Sequence, residues 1–443
     1  MKKDNFLYWI WLSEAVGDMT HGVGALCEQY EDPFDIYRLD EEELAHLEGI
    51  SPVVRDRLGD KALDGAYEIL CHCRRRNMDI VTYRDPRYPM RLRTLEDPPV
   101  LLYCLGQLPD MNRRLCVAMV GTRSMSEYGK QTAYRMGYEL AAGRVVVVSG
   151  MALGVDAVAA CGALEAGGST VAVLGCGLDT VYPKEHKHLM QSIIKHGAVV
   201  TEYPPSARPV GQHFPRRNRI ISGLCQGTLV VEGAKGSGAL ITASHAIAQG
   251  RDLFALPGKV NESNSEGPNE LICNGAHATL SAEDILCFYD FLYHDDTDVG
   301  ALKRATRSST ISDGILRRYG VSPERGRKAE GASAQAVSVT PPIAEAEAVP
   351  VYRDEPKPNA AEPRREEPVA KRDGDHPDQS ERLLASVDAT TQRVFSLMPT
   401  DRAVTPDYLA AEGVEIGDVI TSLTLLEIVG LVSALPGGLY VRK

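Results

Sequence analysis

Between residues 115 and 256 the chain repeats one unit. A short run of β-branched and apolar residues is followed, in most repeats, by ten or more residues of helical character. The runs are 115–120, 145–149, 169–174, 198–202, 228–231 and 253–256, with a shorter one at 277–280. They are β-branched or apolar throughout rather than alternating with polar residues. A strand of that kind needs cover on both faces, which a parallel sheet between two helical layers supplies. The repeat therefore predicts a doubly wound α/β domain, with any ligand outside the carboxyl ends of its strands.

The flanks read differently. Residues 1–80 are expected to form a small helical domain. Leu44, Leu47, Gly49 and Ile50 carry the spacing of a helix-hairpin-helix turn, although Ser51 stands where a second glycine would help. Residues 80–83 and 100–105 read as strands, so the α/β domain is placed at 81–294. From 295 to 383 no apolar periodicity survives. Its 329–371 portion is rich in Ala, Pro, Glu and Arg, which predicts a disordered linker. Residues 384–443 then read as a winged helix: helices at 390–398, 405–411 and 416–429, and a hairpin turning at Pro436-Gly437-Gly438. The third of these helices carries no Arg, Lys, Asn or Gln, the residues a DNA-reading helix presents. A protein-contact or regulatory role is expected of it.

Composition narrows the function. The net charge is -12, which argues against bulk coating of nucleic acid but leaves room for a local basic groove. Residues 113–284 hold 16 basic and 14 acidic side chains, so this domain is near +2. No run reaches the roughly 18 apolar residues that a membrane span requires. The run 6–12 after Lys2 and Lys3 is short and flanked by Asp4 and Glu14, so it reads as a first helix rather than a secretion signal. Ten cysteines, with only Cys71-His72-Cys73 closely spaced, suit reduced thiols in a cytoplasmic protein and give no zinc site.

Glycines collect at the expected strand ends: Gly121, Gly150, Gly154, Gly175 and Gly177. They are candidates for a phosphate loop, because glycine admits close approach of backbone or phosphate. None of these loops reads G-x-G-x-x-G with an acidic residue some twenty positions on. Pro257-Gly258-Lys259 lacks the first glycine and the hydroxyl of an ATP-binding loop. Neither a cofactor nor an ATP-driven motor is expected.

The segment 212–224 is the most informative. Pro215 suits the first position of a helix, which would place Arg216, Arg217 and Arg219 in its first turn. Cations there oppose the helix dipole unless an anion is bound. Arg208 and His213 extend the cluster, and Phe214 offers a face for base stacking. Arg123 ends the first parallel strand on the same side of the sheet.

Several blocks now match a family. Gly121-Thr-Arg123, Ser149-Gly-Met-Ala-Leu-Gly-Val-Asp156, Leu174-Gly-Cys-Gly-Leu-Asp-Thr-Val-Tyr-Pro183 and Glu202-Tyr-Pro-Pro205 are four of them. Phe214-Pro-Arg-Arg-Asn-Arg-Ile-Ile-Ser-Gly-Leu224, Val230-Val-Glu232, Ser237-Gly-Ala-Leu-Ile-Thr-Ala243, Leu256-Pro-Gly258 and Pro268-Asn-Glu-Leu-Ile272 are the others. In order and content, over residues 83–284, they resemble the DNA-processing protein A family (DprA, also called Smf). His186 stands where the family usually has Asn, and Ala239 where it has Ser.

The resemblance implies an extended Rossmann-like domain that binds single-stranded DNA, flanked by a small helical (SAM-like or helix-hairpin-helix-like) domain and a winged helix. It implies a role in natural transformation: protecting incoming strands, relieving the block posed by single-strand-binding protein, and loading RecA. It further implies a homodimer formed through the Rossmann-like domain and no catalysis. By position, the DNA contacts fall on Arg123, Phe214, Arg216, Arg217, Asn218 and Arg219, with Lys235 and Lys259 behind them. Two other readings remain open. One is a nucleotide-binding hydrolase of the nucleotide phosphoribohydrolase type, with Glu232 polarising water; the other is a sequence-specific winged-helix regulator.

Overall fold

The computed structural model describes residues 5–18, 21–306, 310–322 and 389–399, and scattered positions between 404 and 442. The described residues through 322 pack as one unit and those from 389 onward as a second.

Six short helices open the first unit: α1 (Phe6–Val16), α2 (Val23–Gln29), α3 (Pro33–Tyr37), α4 (Glu41–Ala45), α5 (Pro52–Gly59) and α6 (Asp64–Arg76). Local chemistry sets several of their starts. Asp32 accepts from the Phe34 N–H ahead of Pro33, Asp40 and Glu43 form a capping box, and Ser51 caps α5 ahead of Pro52. Trp9, Ile10, Trp11 and Leu12 of α1 are buried, and the Trp11 indole donates to the Asp60 carbonyl at 2.9 Å.

The sheet has nine strands: β1 (Asp79–Thr82), β2 (Leu101–Gly106), β3 (Cys116–Val120), β4 (Val146–Ser149), β5 (Thr170–Val173), β6 (Ala198–Thr201), β7 (Gly227–Val230), β8 (Asp252–Ala255) and β9 (His277–Ala278). Their order is β1-β2-β6-β5-β4-β3-β7-β8-β9. The seven strands from β6 to β9 in that order run parallel, while β1 and β2 add an antiparallel edge. The doubly wound expectation is met: the central strands are buried on both faces and are built mainly of apolar and β-branched side chains, with Thr170, Thr201 and Thr228 among them. The winding reverses between β3 and β7. α7 (Met90–Arg93) lies between β1 and β2. The crossover helices are α8 (Glu127–Ala142), α9 (Val155–Glu165), α10 (Lys187–His196), α11 (His213–Gly223), α12 (Gly238–Ala248) and α13 (Ser263–Cys273). α14 (Ala282–Tyr293) follows β9.

The expectation of a structureless 295–383 fails at its beginning. α15 (Val299–Ala305) and α16 (Asp313–Arg318) are helices capped by Asp298 and Ser312. They pack on α8 and α9. Arg318 pairs with Glu165 at 2.8 Å, the Tyr319 hydroxyl donates to the same carboxylate at 2.6 Å, and Leu302 and Leu316 are buried. Each helix is under two turns and buries few apolar side chains, too few to leave a period in the sequence. Residues 323–388 lie outside the described residues.

In the second unit, helices α17 (Ala389–Leu397) and α18 (Pro406–Ala410) accompany a hairpin of β10 (Val432–Leu435) and β11 (Leu439–Arg442). Val394, Leu409, Leu423 and Val432 are buried together there. Most of the expected third helix, and the turn at Pro436-Gly437-Gly438, lie outside the described residues. Among the described residues no helix is long and apolar enough to cross a membrane.

Candidate nucleic-acid interface

The loops that leave β3, β4 and β5 enclose a cleft of about 440 Å³ at the carboxyl ends of those strands. Arg123, Gly150, Gly175, Tyr182, Phe214 and Arg217 line it. Phe214 is half-buried and lies against Tyr182, with ring centroids 4.9 Å apart and planes 37° apart. Tyr182 remains 39% exposed. The two rings present an aromatic face to the cleft. Arg123 is exposed at its rim and has no ion-pair partner among the described residues.

The arginine motif is placed differently from its sequence reading. The helix begins at His213, not at Pro215, because the preceding residues 210–212 already turn into it. Arg216 is thus the fourth helical residue, and all three arginines lie beyond the first three positions. The dipole argument for a bound anion no longer applies to them; each cation is answered by protein groups.

Arg217 is 5% exposed. It donates to the Gly150 carbonyl at 2.9 Å and to the Val173 carbonyl, bracing the ends of β4 and β5. Burial lowers its pKa to about 10, with buried Asp156 the main opposing influence. Arg219 is 3% exposed and pairs with Glu202 and, at 3.0 Å, with Asp97. Burial pushes its pKa down, but those carboxylates outweigh burial and the net shift is upward. Arg216 pairs with Asp18 at 3.4 Å and Glu202 at 3.6 Å, and donates to the Asp18 carbonyl. Asn218 accepts from Arg217 Nε at 3.3 Å and donates to the Gly238 carbonyl at 3.5 Å. Of these four, Arg217 alone lines the cleft. Lys235 and Lys259 are exposed on loops after β7 and β8, away from the cleft lining; Lys235 pairs with Glu270 at 3.6 Å.

Two of the glycine loops already hold an anion. The Asp156 carboxylate accepts from the Gly150 N–H at 2.9 Å. Burial raises the Asp156 pKa, while Arg217 and that N–H oppose the rise. At the winding reversal Glu232 fills the crevice: it accepts from the Ser126 N–H at 2.9 Å and from the Ser126 hydroxyl, at the start of α8. It is 3% exposed. A carboxylate so engaged holds the place a nucleotide phosphate would take and is not directed at an open pocket. Gly154 is required by its backbone (φ +83) and by the Thr122 carbonyl, which a Cβ would meet at 2.3 Å. At Gly177 a Cβ would meet the Pro205 carbonyl at 2.1 Å. Gly121 packs on Val155 and Gly175 on Phe214. These five positions serve close packing or an internal carboxylate.

Sequence reasoning missed Tyr182, Asp156, Glu202 and Asp18 as members of the site. Tyr182 was legible as an aromatic on the loop after a central strand. The carboxylates were not, since they arrive from other elements. Lys184, beside Tyr182, and Arg208, on the loop before α11, are exposed and without ion-pair partners among the described residues.

The profile of the family described as DNA recombination-mediator protein A matches residues 79–290, which spans the whole nine-stranded sheet. The DNA processing protein DprA of Bacillus subtilis is 36% identical over 244 residues, covering 53% of this chain and 82% of that one. The DNA processing protein DprA of Streptococcus pneumoniae is 42% identical over 207 residues, covering 47% and 73%. The crystal structure of the Streptococcus pneumoniae protein superposes with a TM-score of 0.57 at 34% identity, covering 65% of this chain and 98% of that one. The resemblance carried by the sequence blocks thus extends through the fold, and the chain belongs to the DNA-processing protein A (DprA) family.

Proposed function

We propose that this protein binds single-stranded DNA in the cleft over β3, β4 and β5, acting in DNA processing during transformation and recombination. The observation that carries the reading is the pairing of an aromatic face, Phe214 on Tyr182, with exposed Arg123 at the same opening. Stacking accepts any base, and a cation at the rim meets the backbone. Duplex bases are already stacked on each other, so single strands are preferred with little sequence dependence.

On this reading the protein has no catalytic step. It shields the strand, offsets single-strand-binding protein, delivers the strand to RecA and works as a homodimer through the Rossmann-like domain. The names of the Bacillus subtilis and Streptococcus pneumoniae relatives support DNA processing as the setting. The test is a salt titration of wild type, Phe214→Ala and Arg123→Ala with matched single-stranded and duplex oligonucleotides. Phe214→Ala should cost about 1–3 kcal/mol of single-strand affinity with the salt slope unchanged, because stacking releases no counterions. Equal affinity for both oligonucleotides, or indifference to both substitutions, refutes the reading.

A further inference from the structure

The loop holding Tyr182 forms one wall of the cleft, and its far side faces α6. Within that wall the Gly177 N–H donates to the Ala207 carbonyl at 2.9 Å and the Asp179 N–H to the Pro205 carbonyl at 3.0 Å. This ties residues 175–183 to residues 203–208. Beyond it lies an open groove between α6 and Pro205-Ser206, with a volume of about 1350 Å³. Tyr67, Cys71, Arg74 and Arg75 line its α6 side, at spacings that fall on one helix face.

The chemistry of that face matches what a single strand needs. Arg74 and Arg75 are exposed and have no ion-pair partner among the described residues. Tyr67 is 59% exposed, an aromatic two turns from the arginines. Glu68 is the acid lining the groove. Asp179, at its edge, is engaged by His72 at 2.9 Å and by Arg76 at 3.5 Å. Cations at a helix C-terminus complement the dipole. That role does not call for an exposed tyrosine on the same face, nor for a groove that opens onto the wall of the cleft. Arg208 is also exposed and lies two residues along the chain from Ser206, on the segment tied to the cleft wall.

We infer that the α6 groove is a second, previously unassigned subsite for single-stranded DNA: a strand leaving the cleft crosses the wall at Arg208 and lays its backbone on Arg74 and Arg75, with a base against Tyr67. The inference rests on the proposed cleft function and extends it to the N-terminal helices. It gives them a direct part in holding DNA and makes affinity depend on strand length.

The experiment uses the full chain and oligo(dT) of about 5 and about 20 nucleotides, spanning the range of single-strand site sizes. It compares wild type, Arg74→Gln/Arg75→Gln, Tyr67→Ala and Arg123→Ala. For the long oligonucleotide the double variant should bind several-fold more weakly. Its slope of log affinity against log salt should be flatter by about 1.4, from roughly 0.7 per phosphate contact. Tyr67→Ala should weaken long-oligonucleotide binding at unchanged slope. For the short oligonucleotide both should match wild type, while Arg123→Ala is weakened at either length. Wild-type affinity and slope for the double variant at both lengths would overturn the subsite and leave the cleft reading intact, provided Arg123→Ala is impaired. Failure of wild type to bind either oligonucleotide overturns both. The three arginine positions and Tyr67 are exposed, so melting temperatures should stay near wild type and report directly that the variants fold.

Discussion

Arg217 offers the sharpest test of how the arginine motif works. In the structure it is a brace: buried, donating to two strand-end carbonyls and facing the buried carboxylate of Asp156. Arg217→Ala would leave that carboxylate without its cation and two carbonyls short of a donor. Each buried acceptor left unsatisfied costs about 1–3 kcal/mol, and Asp156 also loses the nearby positive charge, so a total of about 3–5 kcal/mol is expected. For a domain of this size each kcal/mol lowers the melting temperature by about 2–4 °C, so a fall of about 6–20 °C is expected. Arg123→Ala removes an exposed side chain and should stay within about 0.5 kcal/mol of wild-type stability.

DNA binding should show the opposite ranking per contact. Measured well below both melting temperatures, Arg123→Ala should lower single-strand affinity and flatten the salt slope by roughly 0.7. Arg217→Ala should change affinity only as far as the cleft loosens. Adding Asp156→Asn to Arg217→Ala should recover part of the lost stability, since it removes the orphaned charge. The assays are differential scanning calorimetry without DNA and fluorescence titration at several salt concentrations. An Arg217→Ala variant with an unchanged melting temperature and a flattened salt slope would refute the reasoning, and would make Arg217 a solvent-facing phosphate contact.

Three further outcomes are expected. Gly177→Ala should cost about 1–3 kcal/mol by forcing the cleft wall apart; a neutral melting temperature would contradict the close approach of the Pro205 carbonyl. His186 is fully buried, and burial lowers its pKa below 6.5, with the Met151 carbonyl opposing. The unfolded chain therefore takes up a proton near that value while the folded chain does not, and stability present above about pH 6.5 is lost as pH falls. The drop in melting temperature from about pH 7.5 to about pH 5.5 should be smaller in His186→Asn than in wild type; an equal or larger drop removes His186 from the account. Truncation after residue 322 should leave single-strand affinity within a few-fold of wild type, whereas a cut near residue 295 strips α15 and α16 from the core and should lower the melting temperature; a hundredfold affinity loss on ending the chain at 322 would place the main DNA contact in the C-terminal unit.

The sheet was legible because its signal is local. Strands such as Val146–Ser149 and Ala198–Thr201 need apolar residues on both faces, and that pattern is written in consecutive positions. The strand-end glycines were legible for the same reason, although their neighbours were not. Partnership is the part that sequence order conceals. Asp97, from the approach to β2, and Asp18, from beyond α1, reach arginines more than a hundred positions away, while Glu202 at the end of β6 and Asp156 of α9 find partners closer along the chain but on other elements. A count of 16 basic against 14 acidic residues hides the fact that Arg216 and Arg219 are paired with carboxylates and that Arg217 is buried under the influence of one. The motif therefore shapes the cleft from behind: Arg217 holds β4 and β5 at their ends, Arg219 ties α11 to β6, and Phe214 is carried at the head of the same helix. The exposed charge around the opening then belongs to residues outside the motif, Arg123, Lys184 and Arg208, each on a different loop. Loops that converge from separate strands can follow a curved backbone, whereas three side chains packed into one stretch of a single helix reach only one short part of it.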